Sequence, residues 1–298
     1  MTGTPPFPNP GLYPFQGRAF DRGGGIRMNY LDEGTGPPVV MVHGNPWWSF
    51  CWRGLFLRLR DRHRCLAPDH VGCGLSDAPP DRDYAYTLAT RVADLDSLLS
   101  HAGVEGRVSL VLHDWGGMIG MAWAVRHPER VERIVAMNTA AFRLPAGKRL
   151  PRELGWVRGP LGPLLVRGLN AFARGAVRRC AVKPLSAAVR GAYLAPWPSW
   201  NRRRAALRFV QDIPLGPGDR SWPVLEETER GLERLRDRPL LLCWGMRDFV
   251  FDGEFLAEWV RRFPGAEVRR FEEAGHLVME DAGAEVESAV EGFLGGAR

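Results

Sequence analysis

No apolar run in the 298 residues approaches the roughly 20 needed to cross a bilayer, so a helical membrane-spanning protein is not expected. Cysteine is sparse and badly placed for structural use. Cys51, Cys65, Cys73, Cys180 and Cys243 are odd in number and form no CxxC pair, which argues against a disulfide framework. No Cys/His cluster has ligand spacing, so a zinc site is not expected either. The chain has no P-loop, no internal repeat and no low-complexity tract, which sets aside P-loop nucleotide hydrolases and repeat architectures. The opening MTGTPPFPNPGLYPF is rich in proline and lacks the basic-then-apolar order of a signal peptide, so a cytoplasmic location is the expectation. Lysine is nearly missing, with Lys148 and Lys183 the only two, and arginine supplies the rest of the positive charge.

What remains is ordinary for one large α/β domain: 45% apolar and 25% charged residues. Apolar runs bounded by turn residues recur at 27–32, 38–44, 63–69, 107–114, 133–138, 239–245 and 266–272. The most continuous of them read as strands buried on both faces. Helical patterns at 86–103 and 115–128 lie between them, and RGGGIRM (22–28) reads as a hairpin turn. Strand–helix alternation predicts a doubly wound, mostly parallel sheet. The alternation breaks between about 143 and 215, where Gly and Pro interrupt short helical stretches. This segment is expected to be a helical cap (143–215) inserted after the sixth strand of a core formed by 1–142 and 216–298.

Charge is uneven in the same place. Residues 143–215 hold thirteen Arg and two Lys against Glu153 and Asp212, a net +13 in a chain of net +6, so the remainder is acidic. No nucleic-acid-binding motif accompanies the basic segment, and nucleic acid is not expected as a partner. The stretch 162–180 interleaves Leu164, Leu165, Leu169 and Phe172 with Arg167, Arg174, Arg178 and Arg179. Such a pattern suits a solvated basic face, an anionic membrane surface or an acidic partner protein.

Four sites end apolar strands in polar turns. In VLHDWGG, Asp114 stands where a strand meets a helix; it is either a helix N-cap or a side chain presented by a strand–turn–helix elbow. Leu112 occupies the first position of the usual G-x-nucleophile-x-G pattern, so that signature is incomplete. HGNP (43–46) is a loop able to supply an oxyanion donor from Asn45, by backbone or side-chain amide. Asp248 follows the run at 239–245, and His276 follows the run at 266–272. The order Asp114, Asp248, His276 matches nucleophile, acid and histidine, each just beyond a strand.

With these motifs in view, the chain resembles the α/β-hydrolase superfamily over nearly its full length, and within it the haloalkane dehalogenases. HGNPWWSF, HDWGG, WGMRDFVFD, AGHLVMEDA and the loop APDHVGCGLSD carry the resemblance. The acid after the seventh strand and the N-terminal YPFQGRAF are most similar to the third subfamily, which includes β-lactone decarboxylases of bacterial olefin biosynthesis. The resemblance implies an eight-stranded α/β-hydrolase fold with Asp114 as a carboxylate nucleophile, Asp248 orienting His276, and Trp115 N–H with the Asn45 side-chain amide holding the departing anion. It implies a hydrophobic small-molecule substrate, no cofactor and no metal, and, for olefin synthesis, a partner enzyme that makes the lactone. The reactions that fit are β-lactone decarboxylation and, as the alternative, haloalkane hydrolysis. An epoxide hydrolase would need cap tyrosines, and the cap has only Tyr193. A catalytically silent scaffold is the alternative of a different class.

Overall fold

The computed structural model describes residues 10–149 and 151–296; the proline-rich stretch 1–9, part of the segment read for a signal peptide, lies outside them. The strands are β1 (Arg18–Asp21), β2 (Arg27–Glu33), β3 (Pro38–Val42), β4 (Arg64–Pro68), β5 (Val108–Asp114), β6 (Val131–Thr139), β7 (Leu240–Gly245) and β8 (Glu267–Phe271). They form a single sheet in the order β1-β2-β4-β3-β5-β6-β7-β8. The β1–β2 and β2–β4 pairs are antiparallel and the rest are parallel.

The runs are continuous because both faces of the central strands are covered. Val40, Val42, Leu110, Leu112 and Leu242 pack into one core, while Val39, Met41, Val111, Leu241 and Cys243 pack into the other. Helices α2 (Leu88–His101), α3 (Trp115–Arg126) and α9 (Gly253–Arg262) supply the first core, whereas α1 (Arg53–Leu59), α10 (Val278–Asp281) and α11 (Gly283–Gly295) supply the second. All five cysteines are buried within the protein as free thiols. Strand β1 was not among the runs read as strands, because only Phe20 of its four residues is buried. The turn joining it to β2 carries Gly23, Gly24 and Gly25 at positive φ, which explains the run of three glycines.

The helices between β6 and β7 depart from the alternation. They are α4 (Arg152–Arg158), a π-helical turn (Pro163–Gly168), α5 (Ala171–Arg179), α6 (Ala187–Leu194) and α7 (Arg204–Gln211), followed by α8 (Trp222–Gly231), which packs on α3. Five basic residues of the stretch 143–215 pair with carboxylates outside it: Arg143 with Glu229, Lys148 with Asp252, Arg158 with Asp219, and Arg204 and Arg208 with Asp81. Opposite charges on the two parts thus hold the helices over the sheet. No helix among the described residues is long and apolar enough to cross a membrane.

Candidate active site

Asp114 ends β5, a strand buried at every residue, and its backbone has φ +53° and ψ −128°. A positive φ in a non-glycine residue is costly and persists only where the surroundings impose it. Here β5 runs straight into α3, and the Thr139 hydroxyl donates to the Asp114 carbonyl. Close approach does the rest: a Cβ at Gly44 would overlap the Asp114 carboxylate, and one at Gly116 would overlap the Val42 carbonyl. The glycines of HGNP and HDWGG are therefore clearance for one another's loops.

The Asp114 carboxylate is held on both oxygens. Oδ1 accepts the backbone N–H groups of Asn45 (2.8 Å) and Trp115 (2.6 Å). Oδ2 lies 3.2 Å from His276 Nε2, and His276 Nδ1 lies 2.8 Å from Asp248 Oδ2. The N-cap and elbow readings of Asp114 thus describe one arrangement, since the carboxylate caps α3 and faces the histidine. The three side chains converge from the loops after β5, β7 and β8, and all are buried.

The groups expected to hold the departing anion already have partners within the protein. The Trp115 and Asn45 backbone N–H groups are bound to Asp114 itself, because the elbow folds the carboxylate back onto its own helix terminus. The Asn45 side-chain Nδ2 donates to the Ala206 carbonyl of α7 (3.1 Å), and its Oδ1 has no partner among the described residues. Nothing in HGNP could have announced a partner 161 positions away.

Burial opposes charge on His276, but Asp248 and Asp114 on its two sides outweigh it and raise its pKa to about 10. Burial likewise raises the Asp114 pKa, yet hydrogen bonding and charge from His276 leave it below the ordinary carboxylate value. At neutral pH Asp114 is therefore a carboxylate and His276 an imidazolium. Such a site offers an ionised oxygen nucleophile that needs no base to activate it.

Two further residues hold the array. Asn138, at the end of β6 with φ +36°, donates from Nδ2 to Asp248 Oδ2 (3.0 Å) and to the Gly245 carbonyl (3.0 Å), and its Oδ1 accepts the Gly245 N–H (2.8 Å). His113 Nε2 donates to the His276 carbonyl (2.8 Å), pinning the histidine loop to β5. Burial lowers the His113 pKa to about 4, so this ring is neutral. Sequence reading passed over both. The available signal was a polar residue closing an apolar strand at the edge that carries Asp114.

Asp114, His276, Asn45 and Trp115 lie at one end of a cavity of about 370 Å³. Its walls are apolar, with Phe142 and Met118 from the sheet domain and Leu154, Val157, Leu165 and Phe172 from the helices above. Tyr193 stays outside it, buried with its hydroxyl on Glu280 (2.5 Å), which removes the one candidate proton donor for an epoxide.

An alpha/beta hydrolase fold family matches residues 37–283. The chain is 48% identical over 95% of its length to a cis-3-alkyl-4-alkyloxetan-2-one decarboxylase of Shewanella oneidensis, covering 89% of that protein. It is 46% identical to a decarboxylase of the same name from Xanthomonas campestris pv. campestris, with 95% and 97% covered. Haloalkane dehalogenase 2 of Mycobacterium bovis is 34% identical, with 95% and 96% covered. Among solved structures, haloalkane dehalogenase DatA of Agrobacterium tumefaciens C58 superposes with a TM-score of 0.83 at 26% identity, covering 96% of this chain and 99% of that one. The chain belongs to the α/β-hydrolase fold family, in the branch that holds these decarboxylases and haloalkane dehalogenases.

Proposed function

We propose that the protein decarboxylates a cis-3,4-dialkyl β-lactone to an alkene and carbon dioxide, with Asp114 as nucleophile. The observation that carries this reading is the identity of 46–48% to oxetan-2-one decarboxylases against 34% to a haloalkane dehalogenase, over the same length of chain. The geometry supports it. Asp114 Oδ2 attacks the ring carbon that bears the lactone oxygen, the C–O bond breaks, and the ring opens to an alkyl ester with a free carboxylate. The bond from that carboxylate to the ring skeleton then breaks, its electron pair forms the alkene, and Asp114 departs as carboxylate. Atoms and charge balance without water. Inversion at the attacked carbon followed by anti elimination turns a cis lactone into a cis alkene. The imidazolium of His276 beside Oδ2 and the two N–H groups on Oδ1 stabilise the departing Asp114. We read 143–215 as the cap whose apolar walls take the alkyl chains.

A haloalkane dehalogenase uses the same first step and is the second reading, favoured by the structural superposition. There water must hydrolyse the ester on Asp114, with His276 as base. The two separate in one experiment: a cis-β-lactone and a bromoalkane are offered separately, and alkene, alcohol and bromide are measured. Alkene without added alcohol supports decarboxylation. Bromide and alcohol with no turnover of the lactone overturns it, and turnover of neither supports a silent fold.

A further inference from the structure

Five large apolar side chains of the helical segment stand in solvent: Trp156 (61% exposed), Leu161 (58%), Leu164 (57%), Leu169 (58%) and Trp200 (46%). Isolated exposed leucines need no explanation, but a cluster does. Leu164 and Trp200 are neighbours, and the others lie on or beside the same helices. Gly168 lies between the Leu164 and Trp200 side chains, and the π-helical turn that carries Leu164 packs against α4, α5 and α7. Trp156 also lines the cavity, so one member of the group joins this surface to it.

The charge around the cluster is mostly positive. The Arg167 guanidinium stacks on the Trp200 ring with 4.4 Å to its centroid. Arg174 and Arg178 on α5 are exposed and have no carboxylate partner among the described residues. Between 143 and 211 the only carboxylate is Glu153, already paired with Arg179. The basic residues that pair with the sheet domain are others, so this remainder is unexplained by cap–core attraction.

We propose that this face of the cap docks onto an anionic lipid surface. Leu161, Leu164, Leu169 and Trp200 enter the headgroup boundary, while Arg167, Arg174 and Arg178 pair with lipid phosphates. Lipid fits better than a protein partner for two reasons on this surface. A protein seated on the cluster would cover Trp156 at the cavity, whereas a bilayer leaves the entrance open to hydrocarbon. An acidic protein face also matches the arginines but leaves three exposed leucines without a stated match. The docking rests on the surface alone; the use made of it, loading of a water-insoluble substrate, rests on the proposed dialkyl lactone chemistry.

The test is co-sedimentation of the full chain with phosphatidylcholine vesicles, with and without phosphatidylglycerol, at low and high salt. The wild-type protein is expected to pellet with the anionic vesicles, less at high salt. Arg174→Gln and Arg178→Gln should each weaken partitioning about fivefold. The pair Leu164→Gln and Leu169→Gln should weaken it about tenfold or more, also at high salt. Turnover of a short soluble substrate should stay unchanged in all three variants, since none of the four residues lines the cavity. Wild-type protein left in the supernatant overturns the proposal, as does equal binding to neutral vesicles. Binding that ignores the leucines reduces it to charge adsorption and equally overturns it. None of these outcomes bears on the chemistry at Asp114, which the lactone and bromoalkane assay reads separately.

Discussion

His276 sits between two carboxylates, and its expected behaviour follows from which of them keeps its charge. Ester formation neutralises Asp114, removing one of the two anions that hold the imidazolium proton, so the pKa of His276 falls from about 10 only after covalent attack. With a bromoalkane, His276→Ala should therefore stall at the ester and add the alkyl mass to the protein. With a β-lactone, the same variant should turn over slowly, and the ester it forms should decay to alkene instead of persisting, because no water is consumed. Single-turnover mass spectrometry distinguishes the two, and rapid alcohol release by the variant would remove His276 from the base role. Asp114→Ala should lower turnover about 10⁴-fold or more with unfolding unchanged in cooperativity. Asn138 acts one step behind. Asn138→Leu leaves the Gly245 N–H and one lone pair of Asp248 unsatisfied, costing about 1–3 kcal/mol in urea unfolding and more in kcat than in KM. Full kcat in that variant would show that Asp248 needs no such support.

At the scale of elements, α7 is the helix that joins the segment between β6 and β7 to the site. Ala206 on it receives the Asn45 amide, and Phe209, one turn on, packs against Trp115 with ring centroids 5.2 Å apart. The other side of Phe209 carries the buried Arg91 guanidinium, 3.6 Å from the ring centroid. Both terminal nitrogens of Arg91 lack hydrogen-bond partners among the described residues, so this buried cation is compensated by the Phe209 and Tyr86 rings and by the charges of Asp94 and Asp212. Phe209→Leu keeps most of the volume and removes the ring. It should destabilise by about 1–3 kcal/mol, and more than a Phe→Leu change at Phe56, which packs no cation as closely. Equal losses at the two positions, measured by urea midpoints, would show that the cation contributes nothing. α7 was visible in the sequence only as part of SWNRRRAALRFV; that its Ala and Phe serve the site depends on how the cap lies on the sheet.

For the whole molecule, buried histidines set the pH range of stability. Burial lowers the pKa of His43 and His113 to about 4 and that of His70 well below the ordinary value. The unfolded chain takes up these protons near pH 6.5, so stability should fall as pH drops from about 6.5 towards 4. His276 has the opposite sign: its raised pKa contributes stability that is complete below about 6.5 and lost as pH rises towards 10. The denaturant midpoint should therefore peak near neutrality and decline on both sides; a midpoint that rises steadily to pH 9 would contradict the His276 assignment. The sequence by itself determined the alternation of strands and helices and the order Asp114, Asp248, His276. Those follow from local pattern, because strands buried on both faces must be continuously apolar and each polar interruption marks the sheet edge. Strand β1 escaped, since one buried residue in four makes no pattern. Tertiary structure alone decided that the N–H groups of Asn45 and Trp115 close on Asp114, that Asn138 holds Asp248, and that the cap's arginines divide between core carboxylates and solvent. Those pairings join residues many positions apart, and hydrogen bonds and ion pairs act over a few ångströms of space irrespective of distance along the chain.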